Sequence, residues 1–164
     1  MNNALKYIEQ LEDAFQNIIK DVAVLAADEF DKNFKKQSFF GEKWKPSDYV
    51  KRTRQGGSLL QKTGSLRRSI NYNFKGDKIV FSSNITYAEI HNEGGIIKHP
   101  GGTAYFKKKG KTTWESNRKA SGEDYPRTKA HDINMPQRQF IGGHPKLDKM
   151  IEKEIDNIIE KIFK

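Results

Sequence analysis

Leu5-Lys-Tyr-Ile8-Glu-Gln-Leu11-Glu-Asp-Ala-Phe15-Gln-Asn-Ile18-Ile-Lys-Asp-Val22-Ala-Val-Leu25 opens the chain with apolar residues at alternating three- and four-residue steps. That spacing draws one apolar seam along an α-helix and turns Lys6, Glu9, Glu12, Asp13, Lys20 and Asp21 to water. No glycine or proline interrupts the run before Gly41, so a long helix over residues 1–38 is expected. The seam also fits a coiled coil, although it lasts only about three heptads. Packing against the protein's own sheet is the expected use.

A second helix closes the chain. Leu147, Met150, Ile151, Ile155, Ile158, Ile159 and Ile162 fall on one face of residues 145–163, and Pro145 suits the first helical position. Between the ends, Ile70-Asn-Tyr72-Asn-Phe74 alternates apolar with polar. Lys75-Gly76-Asp77-Lys78 reads as a turn, and Ile79-Val80-Phe81 begins a return strand. Residues 58–95 are therefore read as a helix and β core, with a short helical turn started by Thr63 and Gly64 and another element from Ile85 to His91 closed by Gly94-Gly95. Residues 39–57 form a loop. Residues 96–134, rich in Lys, Gly, Thr and Ser, form a long basic loop or β-hairpin arm with short strands near Tyr105 and Trp114. Two long amphipathic helices packed with a small antiparallel sheet make one α+β domain over residues 1–164.

Composition narrows the function classes. The chain has no cysteine, which excludes disulfides and thiolate chemistry. Its 35% apolar content, with 10 Phe, 6 Tyr and 2 Trp, allows a modest core. No apolar run reaches membrane-span length and no signal-peptide pattern opens the chain, so a soluble protein made in a cytoplasm, with no membrane partner, is expected. The net charge of +9 is uneven. Lys43 to Arg68 holds eight basic residues, Arg52 and Arg54 among them, against Asp48 alone. Lys98 to Lys129, including Lys107, Lys108 and Lys109, holds nine against three acids. Such loops attract nucleic acid or acidic protein surfaces, or simply keep a surface solvated.

Catalytic patterns are missing. The four histidines, His91, His99, His131 and His144, contain no His-x-x-x-His pair and no zinc-ligand spacing. His91-Asn92-Glu93 has the look of a nuclease fragment, but Gly94-Gly95 ends the element at once. Thr63-Gly64-Ser65 lacks the phosphate-loop lysine, and no Gly-x-Ser-x-Gly elbow exists. No catalytic residue, metal ligand or cofactor site is assigned. Met135-Pro136-Gln137-Arg138-Gln139-Phe140-Ile141-Gly142 is different in kind. Proline stiffens the segment, Phe140 offers an anchor, and the fork of Arg138 can fasten it to a carboxylate or a carbonyl. An intramolecular clamp and an intersubunit contact are both open readings.

Read in order, Leu60-x-x-Thr63-Gly64-x-Leu66-x-x-Ser69-Ile70, Tyr87-Ala-x-Ile90-His91-x-x-Gly94 and Pro136-x-Arg138-x-Phe140-x-Gly142, with Gly41 to Trp44 ahead of them, resemble the phage virion morphogenesis family of tail-completion and head–tail joining proteins. The match covers about residues 30 to 160. Gln137 and Gln139 stand where family members often carry alanine and proline, and the basic stretch after Gly95 is long. The resemblance implies a non-enzymatic protein of the virion, located at the tail or head–tail junction and made in the host bacterial cytoplasm. It further implies self-association into a ring and docking to tail tube, terminator and head connector proteins, with DNA passing through the lumen. On that reading Arg138, Phe140, Lys107, Lys108, Lys109, Arg52 and Arg54 are partner-contact candidates. Thr63, Gly64, Leu66, Tyr87, His91, Gly94, Pro136 and Gly142 carry the structural motifs. The alternative is a basic nucleic-acid-binding protein, conceivably a metal-dependent nuclease.

Overall fold

The computed structural model describes residues 2–46, 50–51, 57–76, 78–103, 105–108, 111–114 and 127–162. Among them are four helices and four two-stranded antiparallel ladders, an α+β mixture with its long helices at the two ends. No described helix is long and apolar enough to cross a membrane. The chain divides into two compact units, Met1–Glu93 with Pro136–Lys164, and Gly94–Met135.

In the first unit, α1 runs from Asn2 to Lys36, 35 residues and about 52 Å at the standard helical rise. Lys35 and Lys36 suit the negative end of its dipole, and Gln37 breaks it with a left-handed φ of 54°. Immediately after come β1 (Ser38–Phe39) and β2 (Glu42–Lys43). Phe40 and Gly41 join them with φ of 47° and 108°, positive at both positions as the tightest hairpin turns require. The buried Asn33 of α1 accepts a hydrogen bond from the Phe40 N–H at 3.0 Å and holds this unusual turn in place. The expected helix over residues 1–38 ends at Lys36, and the expected loop over residues 39–57 opens instead with the β1–β2 ladder, whose two-residue strands are too short to show periodicity.

Helix α2 is only Ser65–Arg68 and begins after Gly64 at φ 69°. Strands β3 (Ile70–Lys75) and β4 (Lys78–Ser83) form the expected hairpin, with Tyr72 opposite Phe81 and Phe74 opposite Ile79 on one face. Phe81 meets Phe30 of α1 edge-on at 4.9 Å. Helix α3 covers Ala88–Glu93 and α4 covers Pro145–Ile162. The start of α4 is anchored beside the end of α1. His144 stacks on Phe40 at 4.6 Å, and its ring nitrogen accepts the Lys146 N–H at 3.0 Å, so the side chain caps the helix.

Two apolar clusters form the core of this unit. Phe34, Trp44, Leu66, Ala88 and Phe140 make one; Ala26, Phe30, Phe39 and Leu147 make the other, and half-buried Ile141 packs against both. A bidentate Arg67–Asp31 pair ties α2 to α1, with Nη2 to Oδ2 at 2.8 Å. The guanidinium of Arg67 holds the Asp31 carboxyl below its usual range.

The apolar seam of α1 departs from expectation. Val22, Ala23, Ala26, Phe30 and Phe34 are buried, but Leu5, Tyr7, Ile8, Leu11 and Phe15 are 61%, 53%, 52%, 37% and 57% exposed. Cover from the chain itself, chiefly α4 and β1 rather than the expected sheet, reaches only the C-terminal half of the seam. An amphipathic stripe shows which face seeks cover, not where the cover ends.

In the second unit, β5 (Gly95–His99) pairs with β8 (His131–Met135), and β6 (Tyr105–Lys108) pairs with β7 (Lys111–Trp114). The stretch left open as a loop or a hairpin arm thus contains two antiparallel pairs. Beyond β5 the chain turns through Gly101 and Gly102 at φ 84° and 80°. The Gly102 N–H donates to the Thr128 carbonyl at 2.9 Å, and the Thr128 N–H returns a bond to Thr103 at 3.0 Å. A Cβ on Gly101 would lie 2.6 Å from the Thr128 carbonyl oxygen and 2.8 Å from the Ala130 nitrogen. Backbone cannot step aside as a side-chain tip can. Gly101→Ala is therefore expected to cost about 2 kcal/mol, read as faster amide exchange across β5 and β8 with exchange in α1 unchanged.

Candidate functional site

The motif phrases of the first unit meet in one place. Pro136 to Gly142 crosses between α3 and the β1–β2 segment, and several of its polar groups find partners there. The Arg138 N–H donates to the His91 carbonyl at 2.7 Å. Its Nε donates to the Lys45 carbonyl at 3.0 Å, and its Nη1 lies 3.3 Å from His91 Nδ1. Because a guanidinium can only donate, that histidine nitrogen accepts and the imidazole proton sits on Nε2. One residue on, the Gln139 carbonyl accepts the Trp44 indole N–H at 2.7 Å. Asn92 Oδ1 then accepts the N–H groups of both Phe140 and Ile141, at 3.0 and 3.2 Å. Phe140 closes the knot, fully buried against Phe34 at 5.2 Å.

Each site residue read from the sequence can now be placed. Arg138 and Phe140, candidates for partner contact, are 3% and 0% exposed and fastened within the chain. Leu66 is buried in the same cluster. Thr63 is exposed; its hydroxyl accepts the Ser65 N–H at 3.3 Å and so starts the short turn at Gly64. The Tyr87 ring meets His91 edge-on at 5.8 Å. Gly94 and Gly142 hold φ of 74° and 132°, and Pro136 lines a shallow cleft with Trp44 and Lys45. Lys107 and Lys108 belong to β6. Lys109, Arg52 and Arg54 lie outside the described residues.

Sequence reasoning missed Asn92. Between a histidine and a glutamate on a short helix it reads as a solvated polar residue, and nothing local marks it as the acceptor for two amides some 48 residues away. Trp44 stands in a motif phrase, yet nothing local marks its indole as the donor to the Gln139 carbonyl.

His91 carries the knot's pH dependence. Burial first, and then the neighbouring Arg138 charge, push its pKa below the ordinary 6.5. The unfolded chain therefore binds a proton that the folded chain resists. Stability is complete above pH 6.5 and falls as the pH drops below it, through the lowered folded-state value. His91→Gln is expected to flatten this acid slope in urea titrations between pH 7 and 5.

No three His, Asp or Glu groups gather into a metal site among the described residues. The knot has donors committed to carbonyls and no nucleophile aligned with a base, so the work its geometry can do is positional. It locks three sequence-distant segments into one frame. The chain belongs to the phage virion morphogenesis family, whose model matches residues 1–164. No curated protein and no solved structure gives a significant match.

Proposed function

We propose that this chain is a non-enzymatic virion protein that completes the phage tail or joins it to the head, as a ring of identical subunits docked on neighbouring tail and connector proteins. The family match over the whole chain carries this reading. The knot supports it, since a docking protein needs a rigid frame from which loops present their charges. Arg138 and Phe140 then act from inside, by holding that frame. The basic segments are the docking elements, Lys107, Lys108 and Lys109 in one and Arg52 and Arg54 in the other, and they attract acidic subunits or the phosphates of DNA in the lumen.

Purified heads and tails, mixed with this protein, form infectious particles at low salt. Joining weakens steeply as salt rises, because exposed charge pairs are screened beyond about 10 Å at 0.1 M. The triple variant Lys107/Lys108/Lys109→Glu joins poorly. Equal joining by that variant at every salt concentration would remove the charge-docking role. Metal-dependent cleavage of DNA by the wild type would remove the non-enzymatic reading.

A further inference from the structure

Among the described residues, the N-terminal half of α1 carries an apolar stripe that is largely exposed. Its apolar stripe continues, on the same helix face, the stripe that Val22, Ala26 and Phe30 bury. Leu5, Tyr7, Ile8, Leu11 and Phe15 together leave on the order of 500 Å² open, judged from the 150–250 Å² that an aromatic side chain can bury. The first unit also carries a groove of about 660 Å³, lined by Ala26, Phe30, Ile79, Phe81, Leu147 and Ile151. It has an apolar floor and is open at the surface. One chain thus presents an apolar helix and an apolar slot.

We infer that the N-terminal half of α1, residues 5–18, lies in this groove of a second copy of the chain, and that repeating the contact head-to-tail builds the ring. The inference rests on the ring reading given above and names its interface. Three observations select this occupant. Helix and groove together remove on the order of 1,000 Å² from water, the lower bound for a specific interface. Symmetric pairing of two such helices is the weaker solution. Only about two heptads are free before Val22 is buried in its own subunit, too few for an autonomous coiled coil. Charge points the same way. The segment around the free half carries Glu9, Glu12, Asp13 and Asp21 against Lys6 and Lys20, while the whole chain is +9. Two such helices repel each other when paired symmetrically. A contact between two different surfaces is heterologous, and such contacts close into rings when the rotation permits.

The test uses the full-length chain. Phe15→Glu spoils the helix and Ile79→Glu spoils the groove. In sedimentation velocity the wild type assembles, each variant alone stays monomeric, and their equimolar mixture forms dimers and nothing larger, because one intact helix and one intact groove remain. Since the chain has no cysteine, Phe15→Cys and Ile79→Cys each introduce a single thiol that reports the contact by cross-linking. A short bis-maleimide links Phe15→Cys chains to Ile79→Cys chains. Cross-linking of Phe15→Cys chains only to one another would replace this contact with symmetric helix pairing. Wild-type assembly by both glutamate variants overturns the inference and leaves the ring reading standing. A wild type that stays monomeric at every concentration removes both.

Discussion

Phe140→Ala is expected to lower the stability of the first unit by about 4 kcal/mol, in the range of buried phenylalanine truncations. Phe140 has no exposed surface, packs against Phe34, and shares its cluster with Trp44, Leu66 and Ala88. These residues come from α1, the segment after β2, α2 and α3, so the cavity would open where four sequence segments meet. Little can collapse into it, because the Phe140 and Ile141 N–H groups stay tethered to Asn92. Domains of this size hold about 5–15 kcal/mol in total, so such a loss removes a large fraction. Urea unfolding followed by tryptophan fluorescence reads it directly, since Trp44 lies in the same cluster. Ile159→Ala, at a side chain 42% exposed, is the matched control and should change stability by less than about 0.5 kcal/mol.

Arg138→Ala is expected to cost about 3 kcal/mol, for a different reason. The loss is one of hydrogen bonds and of the acceptors they satisfied. The Lys45 carbonyl and half-buried His91 Nδ1 would lose this donor, and a donor that carries charge contributes about 1.5–3 kcal/mol per bond. Arg138→Lys should recover little. An ammonium on a flexible stem cannot place Nε and Nη1 on two acceptors at once. Removing the guanidinium also removes one of the two causes that lower the His91 pKa. The acid slope between pH 7 and 5 should therefore become shallower in Arg138→Ala.

The parts of the fold legible in the sequence are those set by local periodicity. The stripes of α1 and α4 have the helical period, and Ile70 to Phe81 alternates with the strand period around a glycine turn, so both element types and their order could be read. Long-range pairing could not. Gly95 pairs with Met135 across 40 residues of chain, and neither Ile96-Ile97-Lys98 nor Asp132-Ile133-Asn134 alternates strongly enough to announce a strand. Of the site, Arg138 and Phe140 stood out because proline and glycine frame them. Their surroundings did not, because an asparagine acceptor or an indole donor has no spacing rule. The bare half of α1 was the least visible. Residues 5–18 and 22–34 carry the same stripe, and only the ends of the body they pack on distinguish buried from free.

The most direct measurement is electron microscopy of lysates from the parent phage with this gene deleted. The account predicts separate DNA-filled heads and unattached tails, rescued by the wild-type protein supplied in trans but not by Phe140→Ala. Intact, infectious particles from the deletion would contradict it.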